Sequence, residues 1–377
     1  MAKRILYVAN VDWFFESHFL HLARSARSHG FEVALATHVD QAGPRLAAAG
    51  LELIDLPARR GRLAPTGLFA AASIIASDLM QHPQTVMHAF GLFGIAVGSW
   101  AGRRRRYKRN VYTITGLGYS AAASTSNARV VRAGVRHVCA GVADGPGVRW
   151  LAENPEDLSS CGLAKAVEEG RTAIVGGAGV DPDLFAREPM PARPPLRVAV
   201  VARMIWSKGI DTAVEAVRIA RERGVDVELT LAGGTDPGNP RAYSPADLEA
   251  FERAGGVRWL GRVEDINGLW AQHHLCLLPS RGGEGLPKSL IEASSCGRPV
   301  LTTDVPGCRS FAKETGGWCV APESPEAVAD ALCRIATLDD LEAHGEVART
   351  VVLDRFTEQH NWEIVSAAYN ALAGWPE

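Results

Sequence analysis

Short apolar runs alternate with helical segments along most of this sequence, and this alternation constrains the fold more than any other feature. Residues 4–10 predict a buried strand, and a helix should follow because Phe15, Phe19 and Leu22 recur at helical spacing. Further strands are predicted at residues 31–37, 51–56, 85–89, 111–115 and 148–153. Such alternation is typical of a parallel sheet with helices on both faces, which binds ligands beyond the carboxyl ends of its strands.

A proline-rich segment interrupts the alternation once. Residues 187–195 contain four prolines, a composition typical of a linker. Beyond it the pattern restarts, with strands predicted at residues 196–202, 227–232, 257–260, 275–279 and 300–303. A chain of 377 residues is also too long for one ordinary core. We therefore predict an α/β protein with two similar domains facing a cleft, residues 1–186 and 196–355, and a terminal helix in residues 356–377 that packs back toward the first domain.

The formal net charge of −2 conceals an asymmetry between the two halves of the chain. Residues 1–150 carry a net charge of +10, whereas residues 151–377 carry −12. The near-neutral total argues against wholesale binding of nucleic acid. Only the first half is therefore expected to meet an anionic surface or ligand.

The cysteines and the apolar runs indicate the compartment. The seven cysteines form no C-x-x-C pair, which is typical of free thiols in a reducing environment. The apolar run at residues 5–9 is too short for a secretory signal. Residues 81–102 lack charged side chains but contain His82, Pro83 and four glycines, so a strand and a helix are predicted there instead of a membrane span. We expect a cytoplasmic protein.

The segment 279–299 carries the clearest local signals for a binding site. A predicted strand ends at Ser280, and a glycine-rich loop follows it. Pro287 suits the first position of a helix, and Gly297 suits its C-terminal cap. A loop of this kind presents backbone amides at a helix N-terminus, where a phosphate group is favoured.

Two carboxylates belong to the same segment. Glu284 lies in the loop and Glu292 lies in the predicted helix, which places them on the order of 10 Å apart at 1.5 Å per helical residue. At that distance they would contact two ends of an elongated ligand rather than share one proton. A simple helix cap with a solvated glutamate is the alternative interpretation.

A pair of cations follows the first strand of the second half. Arg203 and Lys208 flank a loop that enters a helix, with Ser207 as its predicted N-cap. Such charge-assisted donors suit a diphosphate, because arginine offers a planar fork and lysine a point charge. Two solvated surface cations are the alternative.

Together these segments resemble the second domain of the family-4 glycosyltransferases, retaining enzymes of the GT-B fold that use nucleotide sugars. The resemblance covers roughly residues 196–310. Its motifs are Ala202-Arg203 with Lys208-Gly209, Leu231-Ala-Gly-Gly234, Leu260-Gly261, Gly297-Arg-Pro-Val, Asp304-Val-Pro-Gly307 and the two glutamates with seven residues between them. The implied architecture is two Rossmann-like domains.

The first half is similar to a subgroup that extends undecaprenyl-diphosphate-linked saccharides. Its motifs are more degenerate: Asn10-Val-Asp-Trp-Phe-Phe-Glu-Ser-His18, Thr113-Ile-Thr-Gly-Leu-Gly118, Glu153-Asn-Pro-Glu-Asp157 and Gly177-Ala-Gly-Val-Asp181. This similarity implies a glycan or polyprenyl-diphosphate-linked acceptor on residues 1–186.

The resemblance implies a role for each residue on the donor side. Arg203 and Lys208 would hold the donor diphosphate, Glu292 the ribose hydroxyls, and Glu284 the transferred sugar. The loop that supports the phosphates or the sugar would consist of Gly285, Leu286, Pro287 and Lys288. The cations and helix amides stabilise the departing diphosphate, so no metal or other cofactor is expected beyond the nucleotide-sugar co-substrate.

The acceptor side departs from the family pattern in two places. Many relatives have a histidine where the strand 111–115 ends, but this chain has Thr115-Gly116, so a catalytic histidine would be His18 or His88. Relatives often have a Gly-Gly pair in the first loop, where this chain has bulky residues. These acceptor-side candidates include Asn10, Trp13 and Phe14, although either histidine could be structural and the aromatic residues simply buried.

Two basic runs account for much of the positive charge of the first half. They comprise Arg59, Arg60 and Arg62, and the run at residues 103–109. An anionic lipid-linked acceptor would explain them as a peripheral contact with the inner face of the plasma membrane. A solvated basic face is the alternative.

The sequence therefore predicts a sugar transferase of cell-surface polysaccharide synthesis, specifically a hexosyl- or N-acetylhexosaminyltransferase. A nucleotide-sugar epimerase, a phosphorylase of the same fold and a non-catalytic nucleotide-sugar-binding subunit are the alternatives. A dinucleotide-dependent oxidoreductase is disfavoured, because neither opening strand is followed by Gly-x-Gly-x-x-Gly.

Overall fold

The chain forms two compact units in a computed structural model, which describes residues 3–57, 65–105, 107–118, 126–253 and 255–374. The first unit comprises Met1–Gly179 and Glu358–Glu377, and the second comprises Val180–Thr357. The proline-rich segment 187–195 therefore belongs to the second unit, and the C-terminal helix belongs to the first.

Seven parallel strands form the sheet of the first unit, in the order β3-β2-β1-β4-β5-β6-β7. They are β1 (Arg4–Val11), β2 (Glu32–His38), β3 (Glu52–Asp55), β4 (Val86–Phe90), β5 (Asn110–Ile114), β6 (Val148–Ala152) and β7 (Thr172–Ile174). The helices are α1 (Asp12–Ser28), α2 (Gly43–Ala48), α3 (Pro65–Gln81), α4 (Gly91–Arg105), α5 (Ser126–Arg136), α6 (Pro155–Ser160), α7 (Ala164–Glu168) and the C-terminal α15 (Glu358–Ala373). A π-helical segment, His137–Ala143, continues α5.

Both faces of this sheet are covered, as alternation along β1 shows. Leu6 and Val8 pack into one apolar cluster, which includes residues of α3 and α4. Tyr7 packs into the other cluster, which includes residues of α1 and also Trp362 and Tyr369 of α15. Successive side chains of a strand point to opposite faces, so α15 completes one layer of the first unit.

Six parallel strands form the sheet of the second unit, in the order β10-β9-β8-β11-β12-β13. They are β8 (Leu196–Val201), β9 (Val227–Ala232), β10 (Val257–Trp259), β11 (Leu275–Leu278), β12 (Val300–Thr303) and β13 (Trp318–Val320). The helices are α8 (Ile210–Glu222), α9 (Pro245–Arg253), α10 (Ile266–Ala271), α11 (Lys288–Ser295), α12 (Pro306–Thr315), α13 (Pro325–Ala336) and α14 (Leu341–Arg355).

The predicted α/β class with two parallel sheets is confirmed, and most predicted strands occur within one or two residues of their predicted positions. The sequence did not indicate β7 and β13, because each has only three residues and shows no clear apolar alternation. The uncharged stretch 81–102 divides into β4 and most of α4. Among the described helices, none combines the length and the apolar character that a membrane crossing requires.

The strand order of each sheet identifies where a ligand would bind. In the first unit the order changes direction between β1 and β4, and in the second unit between β8 and β11. Loops after two such strands diverge to opposite faces of the sheet and leave a crevice at its carboxyl edge. The loops that follow β8 and β11 contain most of the predicted donor residues, and Lys288 and Glu292 lie in the helix α11 that continues from the second loop.

The motif at residues 153–157 has a structural explanation in the first unit. Asn154 caps α6 by accepting a hydrogen bond from the Asp157 amide, and its own amide group donates to the Asp157 carboxylate at 2.9 Å. Asp157 is buried, and this burial raises its pKa to about 7. The carboxyl group is therefore close to half protonated at neutral pH.

We expect Asp157 to make the first unit less stable as the pH rises. The pKa of Asp157 in the folded protein lies above its value in the unfolded chain. The contribution of this group to the free energy of unfolding is therefore complete below about pH 4 and is lost as the pH rises to about 7. Between pH 5 and pH 8 the loss should be of the order of 2 kcal/mol. Urea unfolding of Asp157→Asn should show a smaller pH dependence than the wild type, whereas Glu156→Gln serves as the control. Equal pH dependence in the wild type and Asp157→Asn would contradict this assignment.

Candidate functional site

The loops after β8 and β11 lie in direct contact in the second unit. Gly209 has a φ of +69°, and a Cβ atom there would lie 2.0 Å from the Pro279 carbonyl oxygen. Only glycine permits this close approach. The predicted N-cap at Ser207 is wrong, because Ser207 lies in a 3₁₀ turn, Trp206–Lys208, and Gly209 occupies the capping position of α8.

Lys208 and Glu284 form an ion pair that joins these two loops. The Lys208 Nζ lies 2.6 Å from the Glu284 Oε1, and the two side chains are only 14% and 15% exposed. The Ser280 hydroxyl donates a second hydrogen bond to the same oxygen at 3.1 Å. The structure therefore brings together a predicted phosphate ligand and a predicted sugar ligand, 76 residues apart in the sequence.

The second predicted cation also has a carboxylate partner. The Arg203 Nη1 lies 2.5 Å from an Asp236 carboxylate oxygen, and nearly half of the Arg203 side chain is exposed. Asp236 was not identified from the sequence, although it follows the motif Leu231-Ala-Gly-Gly234 closely. A diphosphate that binds both Arg203 and Lys208 must therefore compete with two carboxylates.

The glycine-rich loop is held against the start of α12. Gly282 and Gly283 adopt positive φ angles, which glycine tolerates best. A Cβ atom on Gly307 would lie 1.5 Å from the Gly285 carbonyl oxygen, so the loop rests directly on α12. Pro287 precedes α11 as its N-cap instead of occupying its first position, and no side chain caps the helix. The positive end of the helix dipole thus points toward the loop that contains Glu284.

Glu292 lies in α11, one turn beyond Lys288. Its carboxylate is buried and lies 3.2 Å from the Lys288 Nζ. Burial raises the pKa of Glu292 above its usual value, and Lys288 opposes that shift. Glu284 and Glu292 therefore have separate cationic partners, which is consistent with two distinct contacts on one ligand.

The residues predicted for the acceptor side lie at or just beyond the carboxyl ends of β1 and β5 in the first unit. The side-chain oxygen of Asn10 is buried and has no hydrogen-bond partner among the residues that the structure describes. Thr115 approaches the start of α4, since a Cβ atom on Gly91 would lie 3.2 Å from its hydroxyl. Gly116 follows with a φ of +88°.

The aromatic residues of the first loop fall in the first turns of α1. Trp13 is 36% exposed, and the Phe14 ring lies 4.5 Å from the His18 ring between centroids. The Ser17 hydroxyl lies 2.6 Å from the His18 Nδ1. The buried Asp12, which was not identified from the sequence, orders this region by accepting hydrogen bonds from the amides of Trp13, Asp40 and Ala42.

His88 is placed very differently from His18. Its ring has no exposed surface, and its nitrogens lie 2.6 Å from the hydroxyls of Tyr369 and Thr113. Burial lowers the pKa of His88 to about 3, so the ring is neutral at physiological pH. This environment matches a histidine that links β4, β5 and α15, and of the two predicted histidines only His18 reaches the surface of the unit.

Comparisons with known proteins agree with this geometry in both units. A family described as "Glycosyl transferases group 1" matches residues 195–337, and one described as "Glycosyl transferase 4-like" matches residues 4–143. Two glycosyltransferase family models thus match the chain, one over each half. The resemblance drawn from the donor-site and first-loop motifs is thereby confirmed.

Curated relatives match only parts of this chain. The N,N'-diacetylbacillosaminyl-diphospho-undecaprenol alpha-1,3-N-acetylgalactosaminyltransferase of Campylobacter jejuni is 35% identical over 29% of this chain and 27% of its own length. The amylovoran biosynthesis glycosyltransferase AmsK of Erwinia amylovora is 29% identical over 42% of this chain and 40% of its own length. The matched segments thus span less than half of either relative.

Solved structures share the fold of this chain over nearly its full length. A glycosyltransferase from Rickettsia africae ESF-5 aligns over 98% of both chains, with a TM-score of 0.78 and 16% identity. Anabaena HepE, crystallised with UDP and glucose, aligns over 97% of this chain and 99% of its own, with a TM-score of 0.74 and 16% identity.

Proposed function

We propose that this glycosyltransferase moves a sugar from a nucleotide-diphosphate sugar to a glycan or polyprenyl-diphosphate-linked saccharide, with retention of anomeric configuration. The ion pair between Lys208 and Glu284 carries the proposal. It places a cation and a carboxylate side by side in the crevice between β8 and β11, where a diphosphate and its attached sugar would meet.

The chemistry of sugar transfer fits this arrangement. Breaking the glycosidic bond leaves negative charge on the diphosphate and positive character on the sugar carbon. Arg203, Lys208 and the N-terminus of α11 would stabilise the leaving diphosphate, and Glu284 would face the sugar. We propose that these groups suffice without a metal, so transfer should persist in excess EDTA.

The donor is the first property to test. HepE was crystallised with UDP and glucose, so UDP-sugars are the starting point for a panel that also contains GDP-, ADP- and dTDP-sugars. Thermal shift identifies the donor that binds. Transfer to a synthetic polyprenyl-diphosphate saccharide then supports the proposal, whereas donor isomerisation, phosphorolysis or binding without turnover would support the alternative functions.

Glu292 should contribute to donor affinity through the ribose hydroxyls. We expect Glu292→Ala to weaken nucleotide-sugar binding by about tenfold, because a carboxylate acceptor of hydrogen bonds is lost. Since the pKa of Glu292 is raised, wild-type affinity should also fall as the pH decreases toward 5, and Glu292→Gln should lose this dependence. Calorimetric titration checks both results, with Glu326→Gln in α13 as the control. Unchanged affinity in Glu292→Ala would contradict the ribose contact.

We also propose a peripheral contact between the first unit and an anionic membrane leaflet. Residues 79–143 contain nine lysines and arginines and no acidic residue. Within this stretch α5 carries Arg129, Arg132 and Arg136, and its Val130 is 73% exposed. A basic helix with exposed apolar side chains suits the surface of an anionic bilayer, where each cation contributes about 1 kcal/mol.

The basic runs are only partly visible in the structure. Arg59, Arg60, Arg62 and Arg106 lie outside the described residues. Arg103 is described, and it donates hydrogen bonds to the carbonyls of Gly141 and Val142 at the end of the π-helical segment. This contact ties the end of α4 to the segment that continues α5, so the two basic regions are neighbours in the first unit.

Liposome flotation tests the membrane contact. We expect several-fold more protein on vesicles with 30% phosphatidylglycerol than on neutral vesicles, in low salt only, because the attraction between exposed charges is screened. Exchanging Arg129, Arg132 and Arg136 for Gln should reduce this binding, whereas exchanging Arg218 and Arg223 of the second unit should not. Equal binding to neutral and anionic vesicles would refute the contact.

A further inference from the structure

We propose that Arg281 is a positioning residue that sets Lys208 at the correct distance from Glu284 for a donor diphosphate. The inference rests on the proposed function. Arg281 belongs to the glycine-rich loop, three residues before Glu284, yet its side chain points away from solvent and is only 6% exposed. Its hydrogen bonds are made to residues before and after Lys208.

The guanidinium group of Arg281 binds the segment around Lys208 on both sides. Its Nη1 donates to the Trp206 carbonyl at 2.6 Å, two residues before the lysine. The same nitrogen and Nη2 donate to the two oxygens of Asp211 at 2.8 and 3.0 Å, three residues after the lysine. Nη2 also donates to the Thr212 hydroxyl at 2.9 Å. Four hydrogen bonds from one side chain therefore bracket Lys208.

The backbone and a neighbouring hydroxyl reinforce this connection. The Arg281 amide donates to the Ser207 carbonyl at 2.8 Å. The Ser280 hydroxyl lies 3.3 Å from the same carbonyl and also donates to Glu284. The two loops are thus joined next to each member of the ion pair, which leaves little freedom for the separation between Lys208 and Glu284.

A planar cation is needed at position 281. The Arg281 guanidinium carbon lies 4.3 Å from the centroid of the Trp206 ring, and that of Arg241 lies 3.2 Å from it. Lysine has neither the planar fork that binds Asp211 through two parallel hydrogen bonds nor the flat face that stacks on indole. Arg281→Lys therefore preserves the charge while it removes the hydrogen bonds to the residues on both sides of Lys208.

The decisive measurement is the diphosphate-specific part of nucleotide affinity. Calorimetry with UDP and UMP, or with GDP and GMP if the donor panel selects guanosine, should show that Arg281→Lys weakens the diphosphate by about tenfold. The monophosphate should change by less than about twofold, since it does not reach both cations. Arg223→Lys, which also breaks a pair between arginine and aspartate in the second unit, should change neither value.

A double-mutant cycle separates positioning from general stability. If Arg281 acts through Lys208, Arg281→Lys should add less than about twofold to the loss already caused by Lys208→Ala. If Arg281→Lys fails to fold, Asp211→Asn weakens the same contact from its carboxylate side. It should give a smaller loss of diphosphate affinity and leave monophosphate affinity unchanged. Additive losses, or equal losses for diphosphate and monophosphate, would overturn the inference alone. A wild-type protein that binds no nucleoside diphosphate would overturn the proposed function as well.

Discussion

Lys208→Ala is expected to weaken the binding of the nucleoside diphosphate product about 30-fold, while the monophosphate changes by less than about threefold. A charge-assisted hydrogen bond to phosphate contributes roughly 2 kcal/mol, which corresponds to that factor. The selectivity arises because Lys208 pairs with Glu284, which is assigned to the sugar side of the diphosphate. Calorimetric titration with the two nucleotides measures both values.

One double variant controls for the unpaired charge that Lys208→Ala leaves on Glu284. The mutation deprives the nearly buried Glu284 of its cation, and an unpaired buried charge destabilises a fold by several kcal/mol. Lys208→Met combined with Glu284→Gln removes both charges and should restore stability without restoring diphosphate affinity. Equal losses of monophosphate and diphosphate affinity in Lys208→Ala would argue against a phosphate role for this lysine.

Glu284→Gln should separate donor binding from turnover. We expect kcat to fall at least about 100-fold, because a carboxylate that stabilises developing charge on the sugar is lost. Affinity for the nucleoside diphosphate should instead rise, because Lys208 no longer has a competing anion 2.6 Å away. Steady-state transfer kinetics and calorimetric titration on the same preparation should therefore show a lower kcat together with a higher affinity for the nucleoside diphosphate.

A matched exchange on the surface tests the specificity of this result. Glu215 of α8 also pairs with a cation, Arg218, but it is exposed, and Glu215→Gln should alter neither kcat nor nucleotide affinity. If Glu284→Gln retained wild-type turnover and bound the diphosphate more weakly, Glu284 would be a structural support for the loop instead of a sugar ligand.

The glycine-rich loop at residues 279–287 was largely predictable because its signals are local. Glycines, a proline and the transition from strand to helix predict a loop that presents backbone amides at the start of a helix. Element boundaries were less certain. The helix starts predicted from Ser207 and Pro287 differ from the observed starts by one or two residues. A 3₁₀ turn and an extended N-cap residue produce the same sequence pattern as a regular helix start.

The partners of isolated polar residues were not predictable. Arg281, Asp236 and Asp12 gave no sequence signal that distinguishes them from solvated surface residues, yet each is engaged in the structure. His88 and His18 were predicted as equivalent candidates for a catalytic histidine. Only the packing of α15 against β4 shows that the His88 ring is buried, whereas the His18 ring lies near the surface.

The sequence by itself determined the alternation of strands and helices, the two parallel sheets and the similarity to glycosyltransferases, because these depend on periodicity and on short motifs that can be recognised without knowing the contacts. The tertiary structure alone decided that Lys208 pairs with Glu284, that Arg281 brackets this lysine and that His88 is buried. Strand order is the physical reason: β8 and β11 are adjacent in the sheet although about 75 residues separate them, so residues distant in the sequence meet at one carboxyl edge.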